Sequence, residues 1–227
     1  MSVWAVLVAA GRGERLGSDR PKAFAPLRGE PLLAEPLRRL DSSEWVDAIV
    51  IVAPPEWEEP SILVAEENGC GKVSASVTGG ETRGESVRAG VGEVPDDADV
   101  ILVHDAARPV VVEDVVERVL TALGEGWDGA VPALRLADTV KRVQDDAVVE
   151  TLDRNELVAA QTPQAFLAPV LREALGGDLA GATDCSALVE ARGGRVKVVP
   201  GDPRLLKVTD KRDLHVVEGW LEGAPEP

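Results

Sequence analysis

Apolar residues come in short blocks along this chain, and the spacing inside each block separates strands from helices. Residues 3–10, 48–52 and 100–103 are uninterrupted apolar runs rich in Val and Ile, bounded by glycine, proline or charge. That is the pattern of strands buried on both faces. Residues 72–77 instead place Val73, Ala75 and Val77 on alternate positions, a half-buried strand. Leu32, Leu33, Leu37 and Leu40 recur at helical spacing, with Pro36 inside the stretch to kink it or delay its start. Residues 61–67 form a short helix, Gly79-Gly80 leads into another that runs through Val87, and 112–123 forms a longer one, followed by a strand over 129–133. Ala165 onward is expected to be helical, a further helix begins at 183–186, a late strand covers 196–199, and a closing helix covers 210–221 before a frayed end.

Strand and helix in this rhythm predict an α/β fold, a mostly parallel sheet with helices on both faces. Between Asp138 and Arg154 the rhythm breaks. Thr139 to Val143 and Val148 to Leu152 alternate on either side of Asp145-Asp146, a hairpin signal. A two-stranded ribbon is marginal alone in water, so an arm over about 136–156 is expected to pack on a second copy of the chain. No repeat or low-complexity linker divides the rest, and residues 1–227 are expected to be one domain.

Composition narrows the partners. Lys plus Arg number 24 against 40 Asp plus Glu, a net charge of -16, which excludes a surface built for a nucleic-acid backbone and leaves room for a small anionic ligand among local cations. Two distant cysteines, Cys70 and Cys185, and two histidines indicate neither a zinc cluster nor a disulfide framework. Free thiols, an apolar start lacking a basic leader, and no apolar run near the ~20 residues that span a bilayer point to a cytoplasmic protein without a membrane anchor.

The candidate chemistry gathers where strands end. Ligands of open α/β sheets bind beyond the carboxyl ends of the strands. Three marked stretches fall there: Gly11 to Gly17, Gly79-Gly80, and His104-Asp105-Ala106-Ala107-Arg108. Glycines bring bare N–H groups close to a ligand, and Arg15 and Lys22 add cationic heads, a combination that suits a polyphosphate. The spacing Gly-x-Gly-x-x-x-Gly is neither the Walker nor the dinucleotide pattern, and an ordinary surface turn is the plain alternative. Asp105 suits Mg²⁺ carried by a triphosphate, or else it caps the next turn or pairs with Arg108. His104 is a base or a packed hydrogen-bonding residue, and Arg108 suits a second phosphate. No nucleophile and base pair stands out, and phosphoryl or nucleotidyl transfer needs none.

Ala9-Ala10-Gly11-x-Gly13-x-Arg15 with Pro21-Lys22, Gly79-Gly80-x-x-Arg83-x-x-Ser86-Val87, Val103 to Pro109, Asp138 to Lys141, Asp153-Arg154-Asn155, Gln161-Thr162-Pro163-Gln164-x-Phe166, Thr183-Asp184 and Leu206 to Thr209 together resemble the 2-C-methyl-D-erythritol 4-phosphate cytidylyltransferases. The resemblance implies a Rossmann-like nucleotidyltransferase with a protruding β-arm. It would join CTP to methylerythritol phosphate and release pyrophosphate, in the non-mevalonate route to isoprenoids. It also implies that Ala9, Ala10, Gly11 and Gly13 hold base and triphosphate, that Arg15 and Lys22 stabilise transition-state charge, and that Gly80, Glu81 and Ser86 recognise cytidine. Asp105 would hold Mg²⁺ or another divalent cation, and Ala106 would lie against the ribose. Arg108, Thr139, Thr162, Thr183 and Lys207 would hold the acceptor, with Arg154 reaching over from the other subunit of a homodimer. Ala23 and Cys185 depart from the resemblance, which has Gln and an acidic residue there. A cytidylyltransferase for another alditol phosphate, such as ribitol 5-phosphate, is the alternative on the same scaffold. A nucleotide-binding regulator without turnover and a purely structural domain are the alternatives of a different class.

Overall fold

In the computed structural model, which describes residues 1–11, 13, 20–179 and 182–223, the chain builds an eight-stranded mixed sheet. The first strand, β1 (Val3–Val8), lies inside it. A helical turn at Lys22–Phe24 and a small hairpin of β2 (Pro26–Leu27) and β3 (Glu30–Pro31) lead into α1 (Ala34–Ser42). Pro36 costs this helix nothing, because it occupies the first turn, where N–H groups have no intrahelical partner. Then β4 (Ala48–Ala53), α2 (Glu58–Glu67), β5 (Val73–Thr78), α3 (Arg83–Gly92) and β6 (Val100–Asp105) alternate, and all of these strands run parallel to β1.

The second half is less regular. After α4 (Glu113–Gly124) comes β7 (Gly129–Arg135), then the arm strands β8 (Val140–Gln144) and β9 (Ala147–Leu152), which among the described residues pair only with each other. The chain returns through β10 (Val158–Ala160) and β11 (Gln164–Leu167), both antiparallel to β7, and closes with α5 (Ala168–Leu175), α6 (Cys185–Glu190), β12 (Val196–Pro200) and α7 (Lys211–Leu221). The strand order is β10-β7-β11-β6-β1-β4-β5, with β12 parallel to β7 on its other side.

Alternation within the apolar runs explains the layers. Ala5 and Leu7, Ile49 and Ile51, and Val100 and Leu102 face a cluster that includes Leu37 and Leu40 of α1 and Val116, Val119 and Leu120 of α4. Their neighbours Val6, Val50, Val52, Ile101 and Val103 face the opposite cluster, with Val87 of α3, Leu171 of α5 and Val189 of α6. A third, smaller cluster seats α7 on the segment after Lys22, joining Val217 and Trp220 to Leu27, Leu32 and Val208. No helix among the described residues is long and apolar enough to cross a membrane.

Two expectations need correction. Residues 164–167 are strand β11, not the start of a helix, because all four pair with β6 before Pro169 opens α5. β6 extends through His104 and Asp105, which are its last two residues rather than the loop beyond it. The expected frayed end falls largely at 224–227, outside the described residues.

Candidate active site

The order of strands creates the site. From β1 the chain moves outward to β4 and β5, then crosses back to β6 on the other side, so a crevice opens at the carboxyl ends where the direction reverses. The three strand ends are level: Val8 stands opposite both Val52 and Asp105. Backbone bonds carry this alignment into the loops, from Ala9 N to Val52 O, Ala106 N to Val8 O and Gly79 N to Ala53 O, at 2.8, 3.0 and 2.8 Å. The cleft above them encloses about 630 Å³ and reaches Ala9, Ala10, Gly11, Lys22, Gly80, Glu81, Ser86, Asp105, Ala106 and Lys207.

Two glycines set its floor. A Cβ at Gly79 would stand 2.4 Å from the Ala10 Cβ and 2.9 Å from Ser86 Oγ, so the first two loops can touch only because it is absent. Gly13 has φ +73°, and a Cβ there would stand 2.6 Å from that of Lys22. Lys22 N donates to Gly11 O at 3.3 Å, closing the first loop on itself with the Lys22 side chain at the cleft wall. On the other rim, Thr82 and Glu85 form a capping box that starts α3, and Ser86 Oγ donates to Thr82 O at 2.9 Å.

Asp105 is the electrostatic centre. Its Oδ1 accepts from Arg83 Nε at 3.0 Å, with Nη2 of the same guanidinium in ion-pair contact at 2.9 Å, and its Oδ2 accepts from Lys207 Nζ at 2.7 Å. Burial alone would raise its pKa, but Arg83 and Lys207 hold the carboxyl well below the usual range. The carboxylate makes its hydrogen bonds to Arg83 and Lys207, and Arg108 instead hydrogen-bonds the Asp105 backbone, donating N–H to its carbonyl at 2.9 Å. Cys185, at the start of α6, accepts from Arg83 Nη1 at 3.5 Å, and burial pushes its thiol up to about 11.

Behind Asp105, His104 is fully buried, and burial lowers its pKa to about 4. It hydrogen-bonds the Arg108 carbonyl and the Thr162 hydroxyl, so of the two expectations the hydrogen-bonding one holds. The Arg108 guanidinium reaches the carbonyls of Leu205 and Ala160, while its buried Nε has no hydrogen-bond partner among the described residues. The segment bearing Leu205 and Lys207 is tied down by Gln161, whose side chain donates to Asp202 O at 2.9 Å and accepts from Asp202 N at 3.0 Å.

Several expected site residues stand elsewhere. Arg15 lies outside the described residues. Arg108 and Thr162 sit behind the cleft wall rather than in its lining, and Gly13 supports the first loop from outside it. Thr183 is exposed just before α6. Thr139 and Arg154 are exposed at the base of the arm, where Arg154 donates to the Ala137 carbonyl. Arg83, Thr82, Pro54 and Pro55 line the cleft without having been assigned to it. A signal for Arg83 did exist, since an arginine as first residue of a helix opposes the helix dipole and needs a nearby anion.

A divalent cation is implied at Asp105, and the donor set can be tested against it. Two hydrogen bonds, from Arg83 Nε and Lys207 Nζ, occupy a carboxylate that offers about four lone-pair sites, which leaves room for a further ligand. No three His, Cys, Asp or Glu residues gather elsewhere among the described residues. This fits a cation borne mainly by substrate phosphates and steadied by one carboxylate, not one caged by protein.

Comparison with known proteins follows this geometry. The family model for 2-C-methyl-D-erythritol 4-phosphate cytidylyltransferase matches residues 3–223. A curated enzyme of that name from Saccharopolyspora erythraea is 44% identical over 97% of this chain and 100% of its own length. The crystal structure of 4-diphosphocytidyl-2C-methyl-D-erythritol synthase from Anaerococcus prevotii superposes with a TM-score of 0.83 at 26% identity, covering 97% of this chain and 98% of that one. The cytidylyltransferase structure from Thermus thermophilus gives 0.76 at 30% identity, over 96% and 98%.

Proposed function

Because the chain belongs to the 2-C-methyl-D-erythritol 4-phosphate cytidylyltransferase family, and so transfers the cytidylyl group of CTP to that acceptor with release of pyrophosphate in isoprenoid biosynthesis, we propose the following division of labour among its residues. Ala9, Ala10, Gly11 and Gly13 hold the triphosphate and base with backbone groups, and Gly80, Glu81 and Ser86 meet the cytosine. Ala106 lies against the ribose. The acceptor phosphate is held by Arg108 and Lys207, with Thr139, Thr162 and Thr183 beside it and Arg154 delivered by the arm of a second copy. The relatives above share methylerythritol phosphate as acceptor, and nothing in the cleft favours ribitol 5-phosphate instead.

In this reading an oxygen of the acceptor phosphate attacks the α-phosphorus of CTP as the bond to the β-phosphate bridging oxygen breaks. A phosphate monoester with a second pKa of about 6 is already mostly ionised at neutral pH, so no protein base is required. The protein contributes position and charge: Lys22 and Arg15 meet the growing negative charge on the phosphates, in a cleft where preorganised cations are worth more than in water. Mg²⁺, steadied by Asp105, would supply further neutralisation of the triphosphate.

What supports these roles is the convergence of Lys22, Arg83, Asp105 and Lys207, four distant parts of the chain, on one cleft at the switch point of the sheet. Pyrophosphate release from CTP, measured with each alditol phosphate at equal concentration, tests the assignment; faster turnover of ribitol phosphate would overturn it. We further place the enzyme in the cytoplasm as a homodimer joined through the arm.

A further inference from the structure

His104 is used by none of the steps above, yet both of its ring nitrogens are committed. Nε2 lies 2.9 Å from the Arg108 carbonyl oxygen, and Nδ1 lies 3.2 Å from Thr162 Oγ1. A carbonyl only accepts, so Nε2 carries the proton. The ring has no accessible surface, and Nδ1 has the Thr162 hydroxyl as its contact. The Thr162 oxygen also accepts the Asp105 N–H at 3.1 Å. The bonds form one relay: Asp105 N–H to Thr162, Thr162 to His104 Nδ1, His104 Nε2–H to the Arg108 carbonyl.

We propose that His104 is a positioning residue for the acceptor substrate, an imidazole protonated at Nε2 that, with Thr162, fixes the backbones of Asp105 and Arg108 relative to each other. The relay joins the nucleotide side of the cleft, at Asp105, to the acceptor side, at Arg108. The two side chains assigned to the acceptor phosphate stand at its ends, Arg108 in the backbone that His104 holds and Lys207 on the Asp105 carboxylate. This inference rests on the reading of Arg108 and Lys207 as acceptor-phosphate residues.

Two measurements separate the relay from that reading. Nitrogen-15 NMR of the wild-type protein at neutral pH, with His215→Gln to assign the other histidine, reads the ring directly; a proton on Nε2 of His104 is expected, and an Nδ1–H tautomer with a bare Nε2 overturns the proposal whatever the substrate. Steady-state kinetics then compare His104→Phe, which keeps neither bond, with His104→Asn, which places an amide near Nδ1, and with Thr162→Val. Displacement of a substrate-holding group by a fraction of an ångström costs on the order of 10-fold or more. KM for methylerythritol phosphate is expected to rise about that much in His104→Phe and Thr162→Val, with KM for CTP changed less than about threefold and partial recovery in His104→Asn. The double variant His104→Phe/Thr162→Val should be no worse than the poorer single one, as members of one relay are not additive. Equal rises in both KM values, or unchanged KM values with turnover lost only in proportion to unfolded protein, overturn it. Should His104→Phe fail to fold, Thr162→Val and the tautomer carry the test; a wild-type protein inactive on this acceptor would instead defeat the functional reading.

Discussion

Asp105 holds Arg83 and Lys207 at 2.9 and 2.7 Å in a chain of net charge -16, so the cleft is a local reversal of the molecule's overall sign. In the proposed reading that reversal is what admits a triphosphate to an acidic protein, and it makes the remaining cations the sensitive positions. Lys22→Ala and Arg15→Ala are each expected to cut turnover by on the order of 10²-fold or more, the range for loss of a preorganised charge stabiliser; losses below tenfold in both would sink those roles. Cys70 and Cys185 are both buried, and burial raises both thiols, the second to about 11. A colourimetric thiol reagent at pH 8 should therefore leave both unlabelled in the native protein and label both after unfolding. Glu35 offers a pH prediction away from the cleft. Burial pushes its carboxyl up, but hydrogen bonds from Arg38 and Arg39 bring it below the usual 4.5. A lowered folded-state pKa gives stability that is present above the unfolded value and is lost as pH falls through the folded one. Glu35→Gln should accordingly show a shallower fall of Tm below about pH 4.5 than the wild type, with the two curves parallel at neutral pH.

Helix ends do separate jobs at the next scale. The capping box of α3 brings Arg83 to the cleft rim, whereas that of α7, built by Asp210 and Asp213, secures a helix packed on the outer cluster. Asp210→Ala should cost about 1 kcal/mol in denaturant unfolding without altering either KM. Elements were legible in the sequence where both faces are buried: in β1, β4 and β6 the unbroken apolar run is itself the signal. Ala165-Phe166-Leu167-Ala168 misled because an apolar run this short fits helix and strand equally, and only pairing with β6 decides. β2, β3 and β10 are two or three residues long and carry no period at all. The cleft was legible as three loops at strand ends, but the bond from Arg83 to Asp105 and the relay through His104 join residues 22 and 58 positions apart, which no local pattern announces.

For the molecule as a whole, the arm is the feature that the single chain leaves unfinished. Val143, Val148 and Val149 on β8 and β9 are 57%, 61% and 53% exposed, and among the described residues the two strands pair with nothing but each other. A ribbon of this kind is marginal alone. Light scattering is expected to give a dimer, Arg154→Ala should impair use of the acceptor while CTP affinity holds, and a stable, fully active monomer would reject the trans contact. The base of the arm has a consequence of its own. β7 leaves the sheet at Arg135 and β10 re-enters it at Val158, and these two residues are direct partners across the ladder, about 4.8 Å apart as neighbouring strands are. Excision of everything between them and rejoining through a tight two-residue turn should disturb no register in the sheet. The arm is in that sense a cassette: it can be removed to give a CTP-binding half-enzyme, or exchanged for one of altered surface so that two chosen chains assemble only with each other.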